Sequence, residues 1–264
     1  MENKTFRKLY QKAAGTIIRE QLIAEGDAVA IGLSGGQDSF LLLDILAERK
    51  KHLPFPLRLC AIHVHLKEIG YEYNVPAMEK YCASLDIPFY CIEESVDLSI
   101  NKEKTTCFIC SWTRRKKLFE TTHQLGYNKL ALGHHADDAI ETLLMNMIYH
   151  GSISSLPYRL KMFGGRLILI RPLLDLSKKQ ISSYSPACHP RPVRECPMTH
   201  NTRREQIKKL LEQMERLGPQ TRKNLFRSMN NIFPEYLPHG WNTCIHMPSS
   251  EEKTQHENDF LRET

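Results

Sequence analysis

The sequence predicts an α/β fold, a doubly wound parallel sheet of Rossmann-like type with an N-terminal helix before it and a small helical C-terminal extension after it. Three observations carry this reading. Short apolar runs alternate with helical patterns from Ala28 to Tyr149, which is the signature of repeated βα units. The hexapeptide Ser34-Gly35-Gly36-Gln37-Asp38-Ser39 stands where the first apolar run gives way to a helical pattern. In an open parallel sheet that is where ligands bind. After Arg159 the alternation stops and a proline-rich stretch follows, so the core ends before the chain does.

Phe6, Leu9, Ala13, Ile17 and Leu22 recur at helical spacing and predict an amphipathic first helix. Ala28 to Leu33 is apolar throughout and bounded by Asp27 and the glycine turn, as a strand buried on both faces would be. A helix is expected over Phe40 to Lys50, a strand around Leu57 to Val64, a helix around Asn74 to Leu85 and a strand around Pro88 to Ile92. Next come a helix from Ser111 to Leu125 closed by Gly126, a strand from Lys129 to Leu132, and a helix from Asp137 to Tyr149. Phe163-Gly164-Gly165-Arg166 between two strand-like runs predicts a hairpin over Arg159 to Arg171. Helical patterns return at Thr202 to Arg216 and Pro219 to Asn230. These features divide the chain into a core over residues 1–184, an extension over 185–240, and a polar segment over 241–264 expected to lack order.

A hydrophobic fraction of 41% in 264 residues is enough for a full α/β core and argues against a largely disordered chain. The apolar runs fall far short of the ~20 residues that span a bilayer. Residues Met1 to Gln11 lack the apolar stretch of a secretory signal, so a cytoplasmic location is expected and the eight cysteines are read as reduced thiols. Cys60, Cys82 and Cys91 sit in apolar contexts and are read as small core residues. The formal charge of +6 is a weak pointer to a polyanionic partner, and basic runs such as Arg114-Arg115-Lys116-Lys117 are compatible with either phosphate contacts or a solvated helix face.

In the hexapeptide, Gly35 and Gly36 allow backbone N–H groups to approach a phosphate, Ser34 and Ser39 can donate hydroxyl hydrogen bonds, and Asp38 can hold Mg²⁺. The loop is neither a Walker A nor a dinucleotide-binding glycine motif. Gly133-His134-His135-Ala136-Asp137-Asp138, followed by Glu141-Thr142, directly succeeds the strand ending at Leu132, where the two aspartates also suit simple helix capping. Cys107-Phe108-Ile109-Cys110 opens the helix that carries the Arg114 to Lys117 run, and such a pair can bind zinc, act as a dithiol, or ligate an iron-sulfur cluster.

The hexapeptide resembles the PP-loop of the N-type ATP pyrophosphatases, and Gly133 to Thr142 resembles the second motif of the tRNA-modifying members. Taken with Cys107-Phe108-Ile109-Cys110-Ser111, Arg114-Arg115 and Ile170-Arg171-Pro172-Leu173, the chain is similar, from about residue 5 to about residue 239, to the TtcA family of tRNA 2-thiocytidine synthetases. That resemblance implies ATP, Mg²⁺ and a 4Fe-4S cluster as cofactors, tRNA as substrate, and a sulfur donor such as a cysteine desulfurase; it also allows a homodimer. It implies nucleotide contacts from Ser34, Gly35, Gly36, Gln37, Asp38, Ser39, Gly133, His134 and Asp137, catalytic roles for Asp38 and Asp138, and RNA contacts from Arg114, Arg115, Lys116 and Lys117. Cluster ligation falls to Cys107, Cys110 and a third cysteine downstream, read as Cys196 with Cys188 as the alternative. The chain departs from the family at Gln37, where members generally carry lysine, and at Thr199, near where they often have a further cysteine. Alternative readings are a lysidine synthetase, a persulfide-carrying thiolase that would run on Cys110 and Cys196 without iron, and a non-catalytic ATP- or RNA-binding module.

Overall fold

The computed structural model describes residues 4–68, 72–95, 106–194 and 202–237. Cys196, Thr199 and the segment 241–264 therefore lie outside the described residues, as does the side chain of Cys107. The chain falls into two compact units, Met1–Asp138 with Pro157–His200, and Ala139–Leu156 with Asn201–Thr264.

The first unit opens with α1 (Lys4–Arg19), followed by β1 (Ala28–Gly32), α2 (Gln37–Lys51), β2 (Arg58–Leu66), the two-residue β3 (Glu72–Tyr73), α3 (Val75–Ser84) and β4 (Phe89–Glu94). It continues with α4 (Thr106–Gln124), β5 (Lys129–Ala131) and the first turn of α5 (Ala136–His150), then β6 (Arg159–Met162), β7 (Leu167–Ile170), α6 (Lys178–Ser182) and β8 (Pro192–Arg194). Six strands form the main sheet in the order β4-β2-β1-β5-β7-β6. All neighbours pair in parallel except β6 with β7, which form the predicted hairpin across Phe163–Gly165. The order reverses between β2 and β5 on either side of β1, so the crevice at the carboxyl end of β1 is a topological switch point.

Both faces of β1 are covered, which is why its sequence does not alternate. Val29 and Ile31 share one apolar cluster with Leu9, Ala13 and Ile17 of α1, Phe40 and Leu43 of α2, and Met78 and Cys82 of α3. Gly32 faces the other way, where a Cβ would stand 3.7 Å from Leu118 of α4 and 2.9 Å from Leu132. The doubly wound expectation is met. Helix α2 is buried continuously from Ser39 to Ala47, so no polar stripe marks it out. One expectation is corrected: Cys91 is exposed, not core, because β4 is an edge strand whose burial alternates.

At the opposite end of β1 a buried ion pair ties the first connection to β5. Lys129 Nζ lies 2.6 Å from Asp27 Oδ2 and donates to the Leu22 carbonyl at 2.7 Å, with both side chains under a tenth exposed. Asp27 also accepts from the Ala24 N–H and the Asn128 amide, while Asn128 accepts from the Ala28 N–H. Burial pushes the Asp27 carboxyl up, but its hydrogen bonds from Lys129, Ala24 and Asn128 hold it below the ordinary 3.8. Stability from this group is therefore present above the unfolded-state value and lost as pH falls through the depressed folded one. Lys129→Met should cost about 3 kcal/mol by stranding the carboxylate, seen as a lower urea midpoint at unchanged slope. A midpoint equal to the wild type would show that the pair contributes nothing.

The second unit contains the remainder of α5 with α7 (Arg203–Glu215) and α8 (Thr221–Ser228). Ile140 and Leu144 pack with Ile207 and Leu211, which α7 presents at helical spacing. Thr202 caps α7 by accepting from the Glu205 N–H. Arg204 reaches Glu141 at 3.5 Å, and Arg203 lies over the Tyr149 ring.

Candidate functional site

The loop from Ser34 to Gly36 leaves β1 and enters α2 at the switch point. Gly35 has φ of +86°, a conformation open to glycine, and a Cβ there would fall 2.3 Å from the Tyr73 ring. Tyr73 belongs to β3, whose antiparallel pairing with β8 brings the segment after α6 to the same side of the loop. The loop is also fixed internally. The Ser39 hydroxyl donates to the Gly36 carbonyl at 2.8 Å, and the Ser34 hydroxyl donates to Ser39 Oγ at 3.2 Å.

The second motif meets the first through a glycine. A Cβ on Gly133 would lie 3.1 Å from the Asp38 carbonyl and 3.2 Å from the Ser39 nitrogen, so only glycine lets the turn after β5 lie against the loop without displacing it. From this turn His135 faces the loop, with Nε2 4.0 Å from Asp38 Oδ1 and Nδ1 3.3 Å from Asp138 Oδ2. Asp138 accepts from the His135 N–H at 2.9 Å, which caps α5 while keeping the carboxylate beside the cleft. Asp137 is buried and accepts the Lys178 N–H at 2.6 Å.

A third motif braces the second. Arg171 is fully buried, donates to the Pro157 carbonyl at 2.7 Å, and approaches His134 Nδ1 at 3.3 Å. Burial lowers its guanidinium to about 10, against the raising influence of Asp138. Arg171 thus stays cationic near neutral pH and holds His134 at the cleft wall.

Between these elements opens a cleft of about 230 Å³ lined by Ser34, Asp38, Ser39, His134 and Asp138, with apolar walls from Leu33, Ile62, Val64 and Leu132. Polar groups converge on an otherwise apolar pocket, which is the usual make-up of a small-ligand site. Among the described residues no group of three or more His, Cys, Asp or Glu side chains is arranged to hold a metal ion. Mg²⁺ is commonly held by one or two carboxylates together with phosphate oxygens and water. Asp38 and Asp138 are the carboxylates at the cleft able to do this.

The structure brings Ser34, Asp38, Ser39, Gly133, His134 and Asp138 to one cleft, with Gly35 and Gly36 shaping the loop. Gln37 is turned elsewhere: its amide donates to the carbonyls of Tyr184 at 2.7 Å and Ile181 at 3.3 Å, closing the C-terminal end of α6. The basic run on α4 is divided. Arg114 lines the cleft and donates to Cys110 Sγ at 3.3 Å, whereas Lys117 pairs with Glu94 at 2.6 Å and Lys116 lies over the Trp112 ring. Arg115 donates back to the Ser111 carbonyl. Cys110 is half-buried one turn into α4. Cys188 is exposed.

Sequence reasoning missed Lys178, whose ammonium lies 2.6 and 2.7 Å from the two Asp38 oxygens, and His63, a buried wall residue hydrogen-bonded to the Leu33 carbonyl. Lys178 follows Ser177, which forms a capping box with Gln180. That Ser-x-x-Gln pattern was a readable helix start.

The PP-loop domain family matches residues 3–189. A tRNA-cytidine(32) 2-sulfurtransferase of Pseudomonas fluorescens is 35% identical over 247 residues, covering 89% of this chain and 88% of the relative. One from Hahella chejuensis is 36% identical, covering 90% and 85%. Among solved structures, the U34-tRNA thiolase NcsA from Methanococcus maripaludis, determined with its [4Fe-4S] cluster, superposes with a TM-score of 0.68 over 89% of this chain and 80% of that one. At 21% identity that likeness speaks for a shared fold.

Proposed function

We infer that this chain, which belongs to the PP-loop family and within it to the tRNA-cytidine(32) 2-sulfurtransferases, is an ATP-dependent enzyme that replaces the C2 oxygen of a tRNA cytidine with sulfur. The observation that carries the reading is the meeting of the Ser34–Ser39 loop with the Gly133–Asp138 turn at the switch point, which gathers hydroxyls and carboxylates at one cleft. In the proposed reaction the cytosine O2 attacks the α-phosphorus of ATP and pyrophosphate leaves. A sulfur nucleophile then adds at C2, and the C–O bond breaks with AMP as leaving group. The loop N–H groups with Ser34 and Ser39 hold the departing pyrophosphate, and Asp38 with Asp138 would hold Mg²⁺ against it.

The donor set present on α4 fits an iron-sulfur site, since Cys110 lies half-buried against the Arg114 guanidinium and Cys107 precedes it by three residues on the same helix. Cys107, Cys110 and Cys196 would hold a 4Fe-4S cluster, which when bound would supply the sulfur-carrying chemistry. Arg114, reaching from the cleft wall to Cys110, links the nucleotide side of the site to the cysteine side. The exposed cations Arg203, Lys208, Lys209 and Lys223 of α7 and α8 suit contacts with tRNA phosphates, whereas Arg222 is partly buried and paired with Glu215. A cytoplasmic location and a cysteine desulfurase as upstream donor complete the proposal; among the described residues no helix is long and apolar enough to cross a membrane.

The test is direct. Anaerobic protein with ATP, Mg²⁺, sulfide and tRNA should release pyrophosphate only when tRNA is present, and digestion of that tRNA should yield 2-thiocytidine. Pyrophosphate release with lysine incorporated into the tRNA, or no release at all, would reject the assignment.

A further inference from the structure

We propose that Lys178 supplies the positive charge at the ATP phosphates that the loop itself lacks, Gln37 serving instead to anchor the helix that carries it. This rests on the ATP-dependent reading above. The loop from Ser34 to Ser39 contains no cation, and the Gln37 amide is committed to the Tyr184 and Ile181 carbonyls. A nucleoside triphosphate brings about four negative charges, and N–H and O–H dipoles with Mg²⁺ are ordinarily joined by a lysine acting as a point charge.

Lys178 is held where that charge is needed. Its N–H donates to the buried carboxylate of Asp137, the Ser177 capping box fixes the start of α6, and Gln37 anchors the other end of the same helix. The backbone of Lys178 is thus fastened to both phosphate-facing motifs. Its ammonium reaches past them to both oxygens of Asp38, at the cleft lip.

The Lys178–Asp38 pair is open to solvent, with side chains 45% and 29% exposed, and such pairs contribute little to stability. Exchange of Asp38 for a phosphate oxygen is therefore cheap for the ammonium. It also releases the Asp38 carboxylate, leaving it available for Mg²⁺. The lysine chain is long and flexible, so this exchange requires side-chain rotation alone.

The discriminating measurement is binding of ATP and of adenosine to the full chain by calorimetry, in EDTA so that neither turnover nor metal intervenes. Lys178→Met should weaken ATP by about tenfold or more while adenosine changes little, and Lys178→Arg should keep ATP near the wild-type value. A Lys178→Met protein that binds ATP as the wild type does, or that loses ATP and adenosine equally, overturns the role in phosphate binding. Wild-type protein that binds neither ligand, and still binds no ATP when Mg²⁺ replaces EDTA, would instead bring down the ATP-dependent reading on which the role depends. Thermal melts should coincide for all three proteins, since Lys178 is partly exposed and fills no core volume.

Discussion

Replacing Asp38 with alanine should reduce tRNA thiolation by on the order of a thousandfold or more, with the folded structure retained. Its backbone lies against Gly133, where the loop after β1 meets the turn after β5, and its side chain lines the cleft with Asp138. Its carboxylate is the loop's own anionic group, so its loss removes the candidate Mg²⁺ ligand next to the leaving pyrophosphate. The structural cost is small because the lost partner, Lys178, is half-exposed and simply returns to water. Asp38→Asn sharpens the test: the amide keeps the shape and can accept a hydrogen bond, but it has no charge for a metal ion. Both variants should melt with the wild type and fail in pyrophosphate release. Near-normal thiolation by either would remove Asp38 from the site. His135→Ala, by contrast, should disturb the arrangement of Asp38 and Asp138 without removing a carboxylate, and so cost less.

How much of this could be read from residues alone depends on which forces place them. The βα alternation was legible because a parallel strand buried on both faces is apolar along its whole length, as Ala28–Gly32 shows. The hairpin was legible from two glycines with positive φ, Gly164 and Gly165, between strand-like runs. The two ligand motifs were legible because each combines glycine with polar side chains at a strand-to-helix junction. What escaped were groups placed by long-range contacts. Asp44 lies mid-helix in an apolar run and is buried, accepting hydrogen bonds from Tyr81, Tyr184 and His189, residues 37 to 145 positions away. Lys129 reads as the polar start of a strand and is in fact buried on Asp27. The pairing of β3 with β8 joins segments too short to carry any periodicity. Arg114 and Lys117 look alike as members of one basic run, yet three residues apart on α4 they reach a cleft wall and an edge-strand glutamate.

The cysteines carry the other large effect. Anaerobically reconstituted protein should hold about four irons per chain, and Cys107→Ala, Cys110→Ala and Cys196→Ala should each lose both the iron and tRNA thiolation. Cys188→Ala should keep both. Cys110 is the best-supported member, since its half-buried sulfur accepts from the Arg114 guanidinium near the start of α4, three residues after Cys107. Cys60 and Cys82 are unsuited to the role: burial pushes their thiols up to about 11 and about 12, so neither offers a thiolate at neutral pH. Cys188 is exposed and lies within the segment that Tyr184 and His189 tie to Asp44. Arg114→Ala provides an internal control on this logic. It should weaken cluster retention on exposure to air, because the hydrogen bond to Cys110 Sγ is gone, while ATP-dependent pyrophosphate release falls as well through the altered cleft wall. If Cys188→Ala loses iron and Cys196→Ala keeps it, the third ligand is Cys188. If all four cysteine variants thiolate tRNA without iron, sulfur transfer does not pass through these thiols, and the cluster assignment falls while the adenylation site at Asp38 stands on its own test.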